Sequence, residues 1–250
     1  MNRLAAAAVM FALLAPAAGR AGDHTNLEED LPIAVTDAKP IGYLGREIQS
    51  LFRYEHTDED EDSFLTELRL ELGFPRNGQI SISGAYLFGE VEPDGFQPVR
   101  AEFLYNVNQE TTLLPSFAFA AALDFPVGND AHGFDPAVKA ILTKTIPFTE
   151  LFQQVHLNFE GRFNHETRSD ERTQAWRAVA GYSVRLGPQT IGLLDVVREV
   201  TLKRDHEENL VEAGLRHQLT PLLVITGGVG AGFGDESPAI RSTVGFQYAF

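Results

Sequence analysis

Hydrophobic and polar residues alternate with a period of two along most of the chain beyond about residue 45. Phe64, Thr66, Leu68, Leu70, Leu72 and Phe74 fall on one face of a stretch whose other face carries Leu65, Glu67, Arg69 and Glu71. Val155, Leu157, Phe159, Gly161 and Phe163 alternate in the same way with Gln154, His156, Asn158, Glu160 and Arg162. Side chains two apart share one face of a strand, so each run reads as a strand with one apolar and one polar side. No stretch sustains a period of 3.6. The pattern predicts twelve strands, over 46–56, 63–74, 79–91, 99–107, 114–127, 136–146, 152–164, 174–186, 190–201, 209–219, 222–233 and 240–250. In the strand over 190–201 both faces look mixed, and the register there is not readable.

The connections sharpen the picture. PRNG, PFTE, GPQ and TP read as tight turns, with Asn77-Gly78 and Gly187-Pro188 as turn signals. They alternate with longer, charged connections such as TDEDED, HETRSDER and KRDHEEN. Short turns on one side and longer loops on the other suit an even-numbered antiparallel sheet closed into a transmembrane β-barrel. A soluble β-sandwich has strands at similar spacing but turns its polar face outward. Here opposed charges recur in the middles of the polar rows, which suits a wet interior with the apolar rows facing lipid. The fold class expected is therefore all-β, an antiparallel transmembrane β-barrel of about twelve strands over 46–250.

The two ends add their own signals. Met1-Asn2-Arg3 gives a basic start, Leu4 to Leu14 is apolar, and Gly19 and Ala21 suit cleavage before Gly22, so 1–21 is expected to be a signal peptide for export. Residues 22–45 carry Pro32 and Pro40 and do not read as a strand. The apolar Leu31, Ile33 and Val35 have nothing to pack on there, so this periplasmic segment is expected to enter the lumen or cap its mouth as a plug. At the other end Phe246, Tyr248 and Phe250 alternate with Gln247 and Ala249. On a last strand they would face outer-membrane lipids and present the terminal aromatic pattern read by the outer-membrane assembly machinery. Trp176 would suit the aromatic girdle at the opposite rim.

Composition excludes more than it selects. The net charge is −15, and losing Arg3 and Arg20 with the signal makes the chain more acidic still, which argues against nucleic acid as a partner. There is no cysteine, although an exported chain meets an oxidising compartment, so the fold holds without disulfides or a thiolate metal site.

His24 to Ile41 (HTNLEEDLPIAVTDAKPI) and Val229 to Phe250 (VGAGFGDESPAIRSTVGFQYAF) resemble the bacterial outer-membrane family labelled as transporters of the phenol-degradation meta-pathway. The resemblance implies a barrel in the outer membrane of a Gram-negative bacterium. It implies a porin-like role in uptake of small, often hydrophobic or aromatic solutes, with no catalytic motif to carry over.

The polar rows place Glu67, Arg69, Glu71, Arg100, Glu102, His156, Glu160, Arg162, Glu212, Arg216 and Arg241 toward the lumen. These charges either guide a solute through the pore or pair with one another to fill and stiffen a closed barrel. His156 raises a third reading, a lipid-modifying enzyme, which needs a nucleophile beside the base. Ser183 on the neighbouring strand would share its face if the register holds. No cofactor is expected, and the scattered histidines offer no metal-ligand spacing. The acidic run Asp58 to Asp62 lacks the glycine and terminal glutamate of a calcium loop. In GGVGAGFGD, Gly228, Gly230, Gly232 and Gly234 form a lumen-side row that leaves room inside the barrel.

Overall fold

The computed structural model describes residues 23–57, 61–90, 94–127, 134–165, 171–204, 206–234 and 236–250. The expected signal peptide, with Gly22, and Asp58 to Asp60 of the acidic run lie outside the described residues. Thirteen strands form among those described: β1 (Arg46–His56), β2 (Asp62–Phe74), β3 (Gly78–Gly89), β4 (Gly95–Phe96), β5 (Val99–Asn108), β6 (Ser116–Phe125), β7 (Asp135–Thr145), β8 (Gln153–Phe163), β9 (Gln174–Gly187), β10 (Thr190–Val200), β11 (Glu207–Gln218), β12 (Leu223–Gly232) and β13 (Ile240–Ala249). Twelve of them make one closed antiparallel ring, sealed where β1 pairs with β13, Glu47 opposite Ala249 and His56 opposite Ile240. The thirteenth, β4, is a two-residue strand that pairs with β3 at Tyr86 and Leu87. It is too short to show a period, which is why the alternation does not reveal it.

One end of the ring carries both chain ends of the sheet and the tight turns. Arg76 and Asn77, with φ of 63° and 64°, lie in the three-residue turn that joins Phe74 of β2 to Gly78 of β3, two left-handed residues at the tip of the hairpin. The opposite end carries the longer connections.

The apolar rows point outward. Leu68, Ile82, Phe119, Phe159, Val229 and Val244 are all exposed, and so are Phe246 and Tyr248. An apolar surface running round a whole molecule is far beyond what water tolerates, and it fits a hydrocarbon surround. Trp176 stands on this outer side near the loop end, stacked on Phe159 with ring centroids 6.2 Å apart.

The interior is filled rather than open. Residues 24–41 run inside the ring, with Leu27, Leu31, Ile33, Ala34 and Val35 buried, and Gly42 to Leu44 are exposed at the turn end. Leu27 and Ile33 to Val35 join Val179, Ile191, Leu193, Val197 and Leu210 in one apolar cluster, and Ala38 joins Leu104, Ala118, Ala120 and Ile141 in another. This explains the unreadable strand. In β10 the inward residues Ile191, Leu193 and Val197 meet the apolar segment, while Leu194 and Val196 face outward. Both faces of that strand are apolar for different reasons.

Glycines on the inner wall make the room. A Cβ at Gly181 would lie 2.3 Å from Val35 Cγ2, one at Gly214 2.7 Å from Pro32 Cγ, and one at Gly245 2.5 Å from Leu31 Cδ1. Of the row on β12, Gly228 faces Ile33 and Pro32, whereas Gly230 faces the Glu212 side chain and Gly232 faces Ser237 and Pro238.

Candidate functional site: the occupied lumen

Period two places every second side chain of twelve strands on one inner surface, so the lumen is the one location where charges from distant parts of the chain converge. The wall meets residues 24–41 through its side chains, and among the described residues no ladder hydrogen bond joins this stretch to a strand. The backbone N–H groups of Ala34, Val35 and Thr36 donate to Glu212 Oε2 (3.1 Å), Asp195 Oδ2 (2.8 Å) and Asn158 Oδ1 (3.0 Å). Ala38 N–H donates to Thr143 Oγ1 at 2.9 Å and Ile41 N–H to Gln79 Oε1 at 2.8 Å. In return Asn158 donates to the Thr36 carbonyl, Asn106 to that of Ala38 and Arg216 to that of Leu31. Thus the wall satisfies a segment that is neither helix nor strand, as a buried backbone requires.

The tip of the segment is a turn closed by a hydrogen bond from Leu31 N–H to the Glu28 carbonyl, 3.1 Å. Asp30 takes φ of 64° there, a conformation that aspartate tolerates better than most residues. Its neighbours are cations from three strands. Glu29 receives Lys139 Nζ at 2.6 Å and Arg177 Nη1 at 3.3 Å; Asp30 meets Arg177 Nη2 at 2.9 Å and Arg53 Nη2 at 3.2 Å. Arg53 on β1 and Arg177 on β9 stand five strands apart around the ring. Both reach Asp30, so the tip lies near the axis and closes the lumen there. Burial by itself would raise the Asp30 carboxyl, but Arg177 and Arg53 outweigh it and hold the group well below the usual carboxylate range.

All eleven residues assigned to the polar rows stand on the inner face, and the structure sorts them into groups. Arg100, Glu102, Glu160 and Arg162 form one network with Lys139: Arg100 meets Glu102 at 3.2 Å and Glu160 at 3.0 Å, and Arg162 meets Glu160 at 2.6 Å. Arg69 pairs with Glu67 at 2.8 Å and donates to the Glu29 carbonyl at 3.3 Å. Arg241 joins Glu55 (2.5 Å), Glu208 (3.2 Å) and Glu212 (3.8 Å). Glu71, His156 and Arg216 stand apart, toward the turn end. Glu71 accepts from Gln49 at 2.8 Å, and Arg216, fully buried, bonds to Gln247, which in turn bonds to Glu47.

The strand reading did not single out Arg53, Lys139, Arg177 and Glu199, nor the segment's Glu29 and Asp30. Arg53, Lys139 and Arg177 were findable, because each lies on the inward phase of its strand: Lys139 falls between Val138 and Ala140, and Arg177 between Trp176 and Ala178, whereas Glu199 lies on the strand whose two faces are both apolar. Nothing in the segment's own pattern marks its two carboxylates as the tip.

His156 and Ser183 do meet: β8 and β9 pair in the register that sets Gln154 opposite Ser183, and His156 Nε2 lies 3.0 Å from Ser183 Oγ. Thr143 Oγ1 is 3.1 Å from the other ring nitrogen and already accepts the Ala38 N–H. The ring thus bridges two hydroxyls, and it is fully buried behind the segment. A nucleophile beside a base also needs a route for substrate.

Two further carboxyls of the segment form no direct ion pair among the described residues. Asp37 is buried with Oδ2 unpartnered, and burial pushes it up to about 7; Glu28, also buried, is raised for the same reason.

Neither a family model nor a curated protein matches the sequence. Among solved structures the fold is similar to an outer membrane channel from Pseudomonas putida F1, with TM-score 0.70 and 11% identity, covering 87% of this chain and 100% of that one. It is also similar to the KdgM porin solved with disordered oligogalacturonate, with TM-score 0.54 and 11% identity, covering 81% of this chain and 99% of that one. The outer membrane protein Omp33 from Acinetobacter baumannii matches with TM-score 0.53 and 10% identity, covering 83% of this chain and 99% of that one. The chain therefore has the fold of outer-membrane β-barrels.

Proposed function

We propose that this protein is a porin-like channel in the outer membrane of a Gram-negative bacterium, admitting small solutes and held shut by residues 23–45. The observation that carries the reading is an inside-out barrel whose lumen is obstructed by a segment that, over residues 24–41, is joined to the wall through the wall's side chains alone. Beside its apolar contacts the segment is seated by hydrogen bonds and ion pairs, which can be exchanged for equivalent bonds to water or to a solute. Outer-membrane lipids cover the exposed rows. Phe246, Tyr248 and Phe250 on the last strand are the residues offered to the assembly machinery.

The fold is shared with channels and porins, and the His156–Ser183 pair is buried behind the segment, so the reading is of a conduit rather than an enzyme. The resemblance at the two ends extends the proposal to transport of small organic compounds. The test is ion conductance of the purified protein in a planar lipid bilayer. Steady unitary steps with long closed intervals are expected. A silent bilayer, from protein whose migration on an unheated gel proves it folded, would leave the closed structural barrel as the reading.

A further inference from the structure

The most specific polar geometry in the molecule surrounds two carboxylates of its own chain. Glu29 and Asp30 are adjacent, and Arg177 touches both, its Nη1 lying 3.3 Å from Glu29 and 3.4 Å from Asp30. Lys139 holds the outer side of the first and Arg53 that of the second. Three cations on β7, β9 and β1 thus make a two-point receptor for carboxylates a short carbon chain apart. An arginine fork suits this because it presents paired donors in one plane.

The turn does not seal its seat from water. The Glu29 and Asp30 side chains keep 17% and 20% of their exposure, and a cavity of about 20 Å³ lined by Glu29, Arg69, Arg100, Glu102 and Lys139 lies on the Glu29 side of the seat. That volume accommodates a single water. The wall carboxylates Glu102, Glu160 and Glu199 also touch Lys139 or Arg177. They would repel an incoming dianion, yet the seat already holds two added negative charges beside them. The acidic loops disfavour anions at long range, but salt screens that field over about 10 Å, while the seat acts at contact distance.

We infer that Glu29 and Asp30 stand in for a ligand, and that their seat on Lys139, Arg177 and Arg53 binds a small dicarboxylate that displaces the turn. As the substrate class of the channel, this rests on the reading above; as a binding site, it does not. A dicarboxylate bound there occupies the axis in place of the tip, and the segment loses the contacts that hold it across the lumen.

The probe is succinate, titrated calorimetrically into the full-length refolded protein, with succinamide and acetate as controls. The double variant E29Q/D30N removes the internal competitor's charge and is expected to bind succinate at least about tenfold more tightly than the parent, with succinamide silent and acetate much weaker. Adding Arg177→Gln is expected to abolish binding. Should that variant not fold, Arg53→Gln, on the opposite wall, carries the same expectation of weakened succinate and unchanged acetate binding. Succinate binding no tighter in E29Q/D30N than in the parent, or equal binding of succinamide, overturns the inference. Conductance measured alongside separates the two readings. Saturable succinate binding with a silent bilayer upholds the site and removes the channel, whereas unitary steps without such binding remove the site alone.

Discussion

Arg216 shows what a single side chain does in this lumen. It is fully buried, donates to the Leu31 carbonyl at 2.8 Å and to the His24 carbonyl at 3.3 Å, and bonds to Gln247, the partner of Glu47. Replacing it with methionine keeps much of the volume and strands three acceptors at once. The expected loss is about 3–5 kcal/mol, because each buried acceptor left unsatisfied costs about 1–3 kcal/mol. Urea unfolding of the refolded barrel, followed by the fluorescence of Trp176, measures it. His156→Gln should cost less, about 1–2 kcal/mol, because glutamine can still bond to one of the two hydroxyls. Residue identity was legible for Arg216 and His156, since both sit on polar rows of clean strands. Ser183 beside His156 was legible too, from the neighbouring strand, whereas the carbonyls of Leu31 and His24 that Arg216 meets were not, because they belong to a segment without periodicity.

Among the elements, the strands were legible and the segment was legible only in its apolar surplus. Leu31, Ile33 and Val35 betray a need for cover, but the covering surface comes from β9 to β13, far along the chain. Its signature is a set of wall glycines that read in isolation as weak strand positions. Gly181 tests this. An added methyl would lie 2.3 Å from Val35 Cγ2, and overpacking of that kind costs about 2 kcal/mol. Gly181→Ala should therefore raise the population with the segment unseated roughly thirtyfold, read as faster proteolysis within residues 23–45 while the barrel stays resistant. The companion change Val35→Ala should restore protection. Equal proteolysis of parent and Gly181→Ala would mean that the glycine is not there for the segment. The same pairing accounts for the strand over 190–201, where apolar residues on both faces erased the alternation.

At the scale of the whole molecule, titration links the segment to pH. Asp37 is pushed up to about 7 by burial from a usual 3.8, so seating favours its neutral form. Seating is strongest below about pH 4, where the carboxyl is protonated seated or released. It weakens as pH rises toward 7 and is weakest above, a change of about 4 kcal/mol. Glu28, raised by burial, acts in the same direction, whereas Asp30, held low by Arg177 and Arg53, stays ionised across this range. The open fraction in a bilayer should thus be higher at pH 8 than at pH 5. Asp37→Asn should flatten most of that difference; a profile unchanged by the substitution would place the titration elsewhere.

The ring has a single seam, between β1 and β13, and β1 is also the strand that continues directly from residues 23–45. The piece that completes the circumference is therefore covalently tied to the piece that fills it. A released segment stays tethered at the mouth of the lumen, so its return is an intramolecular step at high effective concentration rather than a fresh encounter.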